Sequence, residues 1–248
     1  MKWRVKLALV VTSALFASIF SWLAWEVWSL PGTDEIRGQL FTQSAPRGRG
    51  TWVPLWAISS NLQTAVVVWE DPTFFHHSGF DLSEIARAAW IDLRTRSYRR
   101  GASTITQQVT KNLFLGPEKT LLRKVREAIL AGRIERALSK EEILTVYLNI
   151  AEWGDGIVGA EAASRRYFAK SASDLSWAEA ALLAGILPNP RQWNPCNDPA
   201  RAKQARQAVL TKLLASQALS QQEFDDADAS SPGGCHDIAA PASALDKR

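Results

Sequence analysis

The chain has 248 residues, enough for one sizeable domain and an appendage. Its 29 basic and 25 acidic residues leave a formal charge of +4, a mild excess that suits an anionic membrane surface and falls far short of a nucleic-acid footprint. The two cysteines, Cys196 and Cys235, belong to no CxxC pair; this argues against a metal site and leaves open a disulfide outside the cytoplasm or two free thiols.

Residues 7–25, LALVVTSALFASIFSWLAW, are nineteen residues without a charge. As a helix they span about 28 Å, close to a bilayer core of about 30 Å. Lys2, Arg4 and Lys6 precede the run, and no basic residue follows until Arg37. That asymmetry holds the N-terminus in the cytoplasm and sends the rest across. Trp22, Trp25 and Trp28 stand where an interfacial aromatic belt belongs. A cleaved signal peptide is the rival reading. The run is long for a signal core and has no clear small-x-small cleavage site, which favours an uncleaved signal-anchor over 1–30.

Residues 31–60 carry Pro31, Gly32, Pro46, Gly48 and Gly50 and read as a linker. The run 61–69, NLQTAVVVW, suits a short strand or a buried helix, and periodicity does not decide between them. A helix is expected from Asp81 or Ser83 to about Arg96, with Ile85, Ala89 and Leu93 on one face. Ser103 is expected to cap a second, with Ile105, Val109 and Leu113 inward and Gly116-Pro117 as its stop. A third, 118–138, would turn Leu122, Val125 and Ile129 inward. The boxes Ser139-x-x-Glu142, Ser176-x-x-Glu179 and Ser220-x-x-Glu223 each open a helix, and Asp198-Pro199 opens another. A further helix carries Ala160, Ala163 and Tyr167 after a turn at 154–156. The expected organisation is a mainly α domain over 61–228 and a disordered tail over 229–248.

The polar chemistry gathers between residues 70 and 127. Glu70-Asp71 alone is weak, since most exposed acidic pairs are solvated surface. Trp69, Phe74, Phe75 and Phe80 around it would desolvate a carboxylate and raise its pKa toward that of a general base. His77 suits a structural hydrogen bond. Residues 101–108, GASTITQQ, form a polar run with no apolar stripe, a poor core helix and a good lining for a polar ligand. Lys111, Lys119, Arg123 and Lys124 follow it. They read equally as a solvated basic face or as the cations a pyrophosphate leaving group needs. Glu127 taken alone reads as a helix salt-bridge partner of Arg123.

Five motifs in order resemble the peptidoglycan glycosyltransferases of family 51, and most of all the monofunctional, membrane-anchored ones. They are EDPTFFHHSG at 70–79, GASTITQQ at 101–108, RKVRE at 123–127, ILTVYLNIAEWGDGIVGAEAASRRYF at 143–168 and AEAALLAGILPNPRQWNP at 178–195. No S-x-x-K with a K-T-G follows, so no transpeptidase domain is expected. The family can carry arginine where this chain has Lys119, which loses bidentate geometry there.

The resemblance implies a lysozyme-like α fold with a head lobe and a smaller jaw near 81–101. It implies polymerisation of lipid II with inversion and release of undecaprenyl pyrophosphate. Glu70 would be the base, and Glu127 would order the cations or help hold Mg²⁺. Ser103, Thr104, Gln107, Gln108, Lys111, Lys119, Arg123 and Lys124 would bind substrate. No cofactor is obligatory, and no nucleotide motif is present. The implied partners are lipid II, the growing glycan, the membrane, and other cell-wall and division proteins. The implied place is the bacterial inner membrane, single-pass, with the catalytic domain periplasmic. A lysozyme-like hydrolase and a scaffold with a dead site are the rivals. The hydrolase has less use for the cations, and the scaffold has no reason to keep both acids.

Overall fold

The computed structural model describes residues 2–41, 51–81, 94, 103–118, 120–231 and 235. The described chain is mainly α. Helix α1 spans Lys2–Trp28, α2 Thr33–Phe41 and α3 Ser60–Glu70. Helix α4 spans Ile105–Phe114, α5 Leu121–Ala137 and α6 Lys140–Ile150. A small antiparallel hairpin, β1 Glu152–Gly154 with β2 Ile157–Val158, leads to α7 at Ala160–Phe168. Then come α8 Trp177–Ile186, α9 Pro190–Trp193, α10 Pro199–Ala215 and α11 Gln221–Ala229. The expected helix at 82–96 lies outside the described residues, Arg94 excepted.

Local chemistry sets most of these starts. Ser139, Ser176 and Ser220 each accept from the N3 amide, and Glu142, Glu179 and Glu223 reach back to the cap amide. Asp198 caps α10, with Pro199 at its first position. The 61–69 run resolves as helix α3, with Leu62, Ala65, Val66 and Val67 buried.

The core is built where α8 packs against α3 and α10. Every residue of α8 from Ala180 to Ile186 is buried, so it needs no polar face. Gly185 permits the approach, because a Cβ there would lie 2.8 Å from the Ala205 backbone carbon. Helix α4 packs against both α5 and α6 and so joins the motifs to one another.

Two expectations need correction. The stretch read as a linker, 31–60, contains α2, which packs on α5 with Ile36 and Leu40 buried. Arg37 ties it down by donating to the Ala137 carbonyl at 2.7 Å and to Glu142 at 2.8 Å. Further on, the Asn149 side chain pairs with both backbone groups of Val53, at 2.8 and 2.9 Å. On α5 the inward face is turned from the expected one: of Leu122, Val125 and Ile129, Val125 is exposed and the other two are half-buried, while Glu127, Leu130, Ala131 and Ile134 are buried.

Helix α1 is long and apolar enough to cross a membrane, and it buries none of that span. Its end is fixed to α5. Arg126 Nε donates to Glu26 at 2.8 Å. Arg133 donates to the carbonyls of Val27, Leu30 and Pro31 at 2.8, 2.6 and 2.9 Å. At the other end of the chain Cys196 and Cys235 form a disulfide. Arg206 holds the same C-terminal segment through the Ser230 carbonyl at 2.6 Å. Of the tail expected to be disordered, 229–248, Ala229 ends α11, Ser230 is held by Arg206 and Cys235 by the disulfide; residues 232–234 and 236–248 lie outside the described residues.

Candidate active site

Glu70 is the last residue of α3. Lys212 on α10 donates to the carbonyl of Trp69, one residue earlier, at 3.1 Å, and its ammonium lies 5.4 Å from the Trp69 ring. The chain then leaves the helix at Asp71, whose carboxylate is 4% exposed. His77 Nε2 lies 2.9 and 3.0 Å from its two oxygens, and the Ile105 N–H donates to Oδ2 at 3.0 Å. The Gly79 N–H donates to His77 Nδ1 at 3.1 Å, so Nε2 carries the proton that Asp71 receives. Gly79 has φ +91°, a conformation that favours glycine, and a Cβ there would press on Glu135 at 3.1 Å. Its carbonyl accepts from Thr104 Oγ at 2.8 Å. Segments 70–79 and 103–108 are thus laced together by short polar contacts.

Gln108 connects this lacing to the acid. Its Nε2 donates to Glu70 Oε2 at 2.7 Å. Its Oε1 accepts from the Tyr147 hydroxyl at 3.1 Å. Burial pushes the Tyr147 phenol well above its ordinary range, and the negative charge of Glu70 adds to the push. The aromatic residues expected to enclose the acid are divided. Phe74 is fully buried beneath the Lys140 ammonium, 4.5 Å from its ring, whereas Phe75 is exposed.

The polar run 101–108 does more folding than ligand lining. Thr104, not Ser103, caps α4, and it forms a capping box with Gln107. Both side chains are buried and accept from each other's backbone amide, and the Thr104 hydroxyl donates to Gly79, so their first task is to hold the helix start. Thr106, also buried, donates to Glu135 of α5 at 2.5 Å, and Lys140 reaches the same carboxylate at 2.7 Å. The run opens a buried helix because each of these polar groups finds a partner. Ser103 is half-buried just ahead of the cap. Of the second motif's candidates, Gln108 is the one that contacts Glu70.

On α5, Glu127 is 3% exposed and takes two cations. Arg123 donates to Oε2 at 3.1 Å, and Lys124 pairs with Oε1. Arg123 Nε is buried without a hydrogen-bond partner among the described residues. Lys111 is exposed on α4, and Lys119 lies outside the described residues. With both oxygens engaged by cations, Glu127 is a poor ligand for Mg²⁺, which wants several oxygen donors. No cluster of three metal-ligating side chains occurs among the described residues.

Sequence reasoning missed Asp71 as the organiser of the site, and it missed Tyr147, Glu135 and Lys212. The Thr104-x-x-Gln107 spacing was a visible capping-box signal. Tyr147, Glu135 and Lys212 act across long sequence separations and leave no local sign, and the tie from Asp71 to Ile105 spans 34 residues.

The family model described as transglycosylase matches residues 37–214. The biosynthetic peptidoglycan transglycosylase of Citrobacter koseri is 50% identical over 163 residues, 66% of this chain and 67% of its own length. That of Thiobacillus denitrificans is 46% identical over 171 residues, 69% and 73% of the two chains. That of Aromatoleum aromaticum is 44% identical over 207 residues, covering 80% of this chain and 90% of the relative. A family match over most of the chain, with relatives this similar over most of their own length, means that the chain belongs to the transglycosylase family and is a glycosyltransferase.

Proposed function

We propose that the chain polymerises lipid II into peptidoglycan glycan strands, with Glu70 as general base. Glu70 takes the proton of the acceptor's 4-hydroxyl. That oxygen attacks C1 of the donor's muramyl sugar from the face opposite the leaving group, and the anomer inverts from α to β. The C1–O bond breaks, and undecaprenyl pyrophosphate carries the electron pair away. Lys111, Arg123 and Lys124 would meet its growing negative charge, with Glu127 holding the last two in place. Ser103 and Lys119 remain candidates on the substrate path. No metal enters these steps, and Glu127 would help hold a divalent cation such as Mg²⁺ only where Arg123 or Lys124 made room for it.

The observation that carries this reading is the Gln108 amide donating to Glu70 at 2.7 Å, which presents a fixed carboxylate at the end of α3. The apolar span of α1 supports an inner-membrane, single-pass protein with the domain from about residue 61 to 228 on the periplasmic side. The Cys196–Cys235 disulfide suits that oxidising side. The partners would be the lipid-linked donor, the growing glycan and neighbouring cell-wall enzymes.

The test is polymerisation of lipid II by the purified full chain. Glu70→Gln should lower the rate about 10²–10⁴-fold, the usual cost of losing a general base. A rate within a few-fold of the unmodified chain would end the assignment.

A further inference from the structure

Tyr147 carries a hydroxyl that the proposed reaction does not use. The side chain is 1% exposed in the core of α6. Burying a hydroxyl is costly unless it is hydrogen-bonded, so phenylalanine would fill the same volume more cheaply. The hydroxyl's partner here is Gln108 Oε1, at 3.1 Å, and the other end of that amide touches Glu70.

A glutamine amide has two similar ends. Only the NH₂ end can donate to a carboxylate, and the flipped amide would set oxygen against oxygen. A donor at Oε1 therefore selects the orientation that Glu70 needs. Burial keeps the phenol protonated, so it remains a donor throughout the neutral range.

We infer that Tyr147 is a positioning residue for glycosyl transfer: by donating to Gln108 it holds the amide that holds the Glu70 carboxylate in one rotamer. This rests on Glu70 being the base, as proposed above. Tyr147 itself touches no substrate. Its effect passes through Gln108.

The experiment is a double-mutant cycle in the lipid II polymerisation assay, using the full chain. Tyr147→Phe should slow turnover about 3- to 10-fold, the scale of one net hydrogen bond, with KM for lipid II and the thermal midpoint close to the unmodified values. In a Gln108→Ala background the same change should cost less than about twofold, because the amide it orients is gone. An equal loss in both backgrounds would mean that Tyr147 acts through packing, and an unaffected rate would mean that the hydroxyl orients nothing. Either result overturns the inference. Glu70→Gln is run alongside. If that variant stays active, the base assignment fails; if it is inactive while Tyr147→Phe is unaffected, only the positioning role fails.

Discussion

His77 and Asp71 form a buried pair, with Nε2 2.9 Å from Oδ1, and the Asp71 carboxylate also receives the first backbone amide of α4. One side chain thus joins the exit of α3 to the entry of α4 and fixes Glu70 beside Gln108. Asp71→Ala would leave two buried donors without an acceptor, so it should destabilise the fold by about 2–4 kcal/mol. Asp71→Asn keeps one acceptor oxygen and should cost roughly half of that. Urea unfolding of the two variants checks this order, and equal losses would contradict it.

How much of this was legible in sequence depended on range. Four helix starts were readable because their signals lie within three residues, as Ser139 and Glu142 show. The phase of α5 was not. Apolar residues mark a buried face only when nothing else competes for it. Here Arg123 and Lys124 neutralise Glu127, which makes its burial tolerable, while Leu121 and Val125 stay outside. The acid pair and Gln108 were visible as motif residues. Tyr147 and Lys212 lie far from Glu70 in sequence, and only folding brings them to it.

The N-terminal helix should remain on the mature protein. Helix α1 runs unbroken to Trp28, and Arg126 and Arg133 bind Glu26 and the carbonyls of Val27, Leu30 and Pro31. Cleavage within this stretch would strand two arginines of α5. N-terminal sequencing should find the original terminus, and a new one between residues 17 and 30 would refute the anchor.

The disulfide should contribute stability that reductant removes. It closes a segment with a sequence separation of 39, which includes α10 and α11. A loop of that size corresponds to about 2–4 kcal/mol in the chain-entropy account. Cys196→Ser with Cys235→Ser should therefore melt at a lower temperature and lose the response to reductant. An unmodified chain that melts identically with and without reductant would contradict this.

Helix α11 should be acid-sensitive. The Ser220 hydroxyl and backbone amide both donate to Glu223 and hold its carboxyl below the usual range. A carboxyl lowered on folding contributes stability above its unfolded pKa and loses it as pH falls through the folded value. Protection of the α11 amides, each exchange rate divided by the intrinsic rate at that pH, should therefore fall as the pH drops below the ordinary glutamate range, and less so in Ser220→Ala. The same acid response in both chains would assign it to another group.

Glu127 offers the sharpest choice between two roles. Its carboxylate holds Arg123 and Lys124. If it merely neutralises them, it competes with a phosphate, and removing its charge should tighten phosphate binding. If it aims them, removing its charge should loosen binding. The geometry favours aiming. Arg123 contacts Glu127 through Nη1 and its Nε has no partner among the described residues, so one N–H of the guanidinium is fixed while the carboxylate leaves the rest of the fork unspent. Each charge-assisted hydrogen bond to a phosphate contributes about 1.5–3 kcal/mol, and a misaligned one loses much of this. Glu127→Gln should thus weaken a phosphoglycolipid about tenfold, the equivalent of about 1.4 kcal/mol, and leave a neutral glycan fragment unchanged. Arg123→Ala and Lys111→Ala should show the same split. Tighter phosphoglycolipid binding in Glu127→Gln would make the carboxylate a competitor. Equal weakening of both ligands would make the cluster a support of the fold.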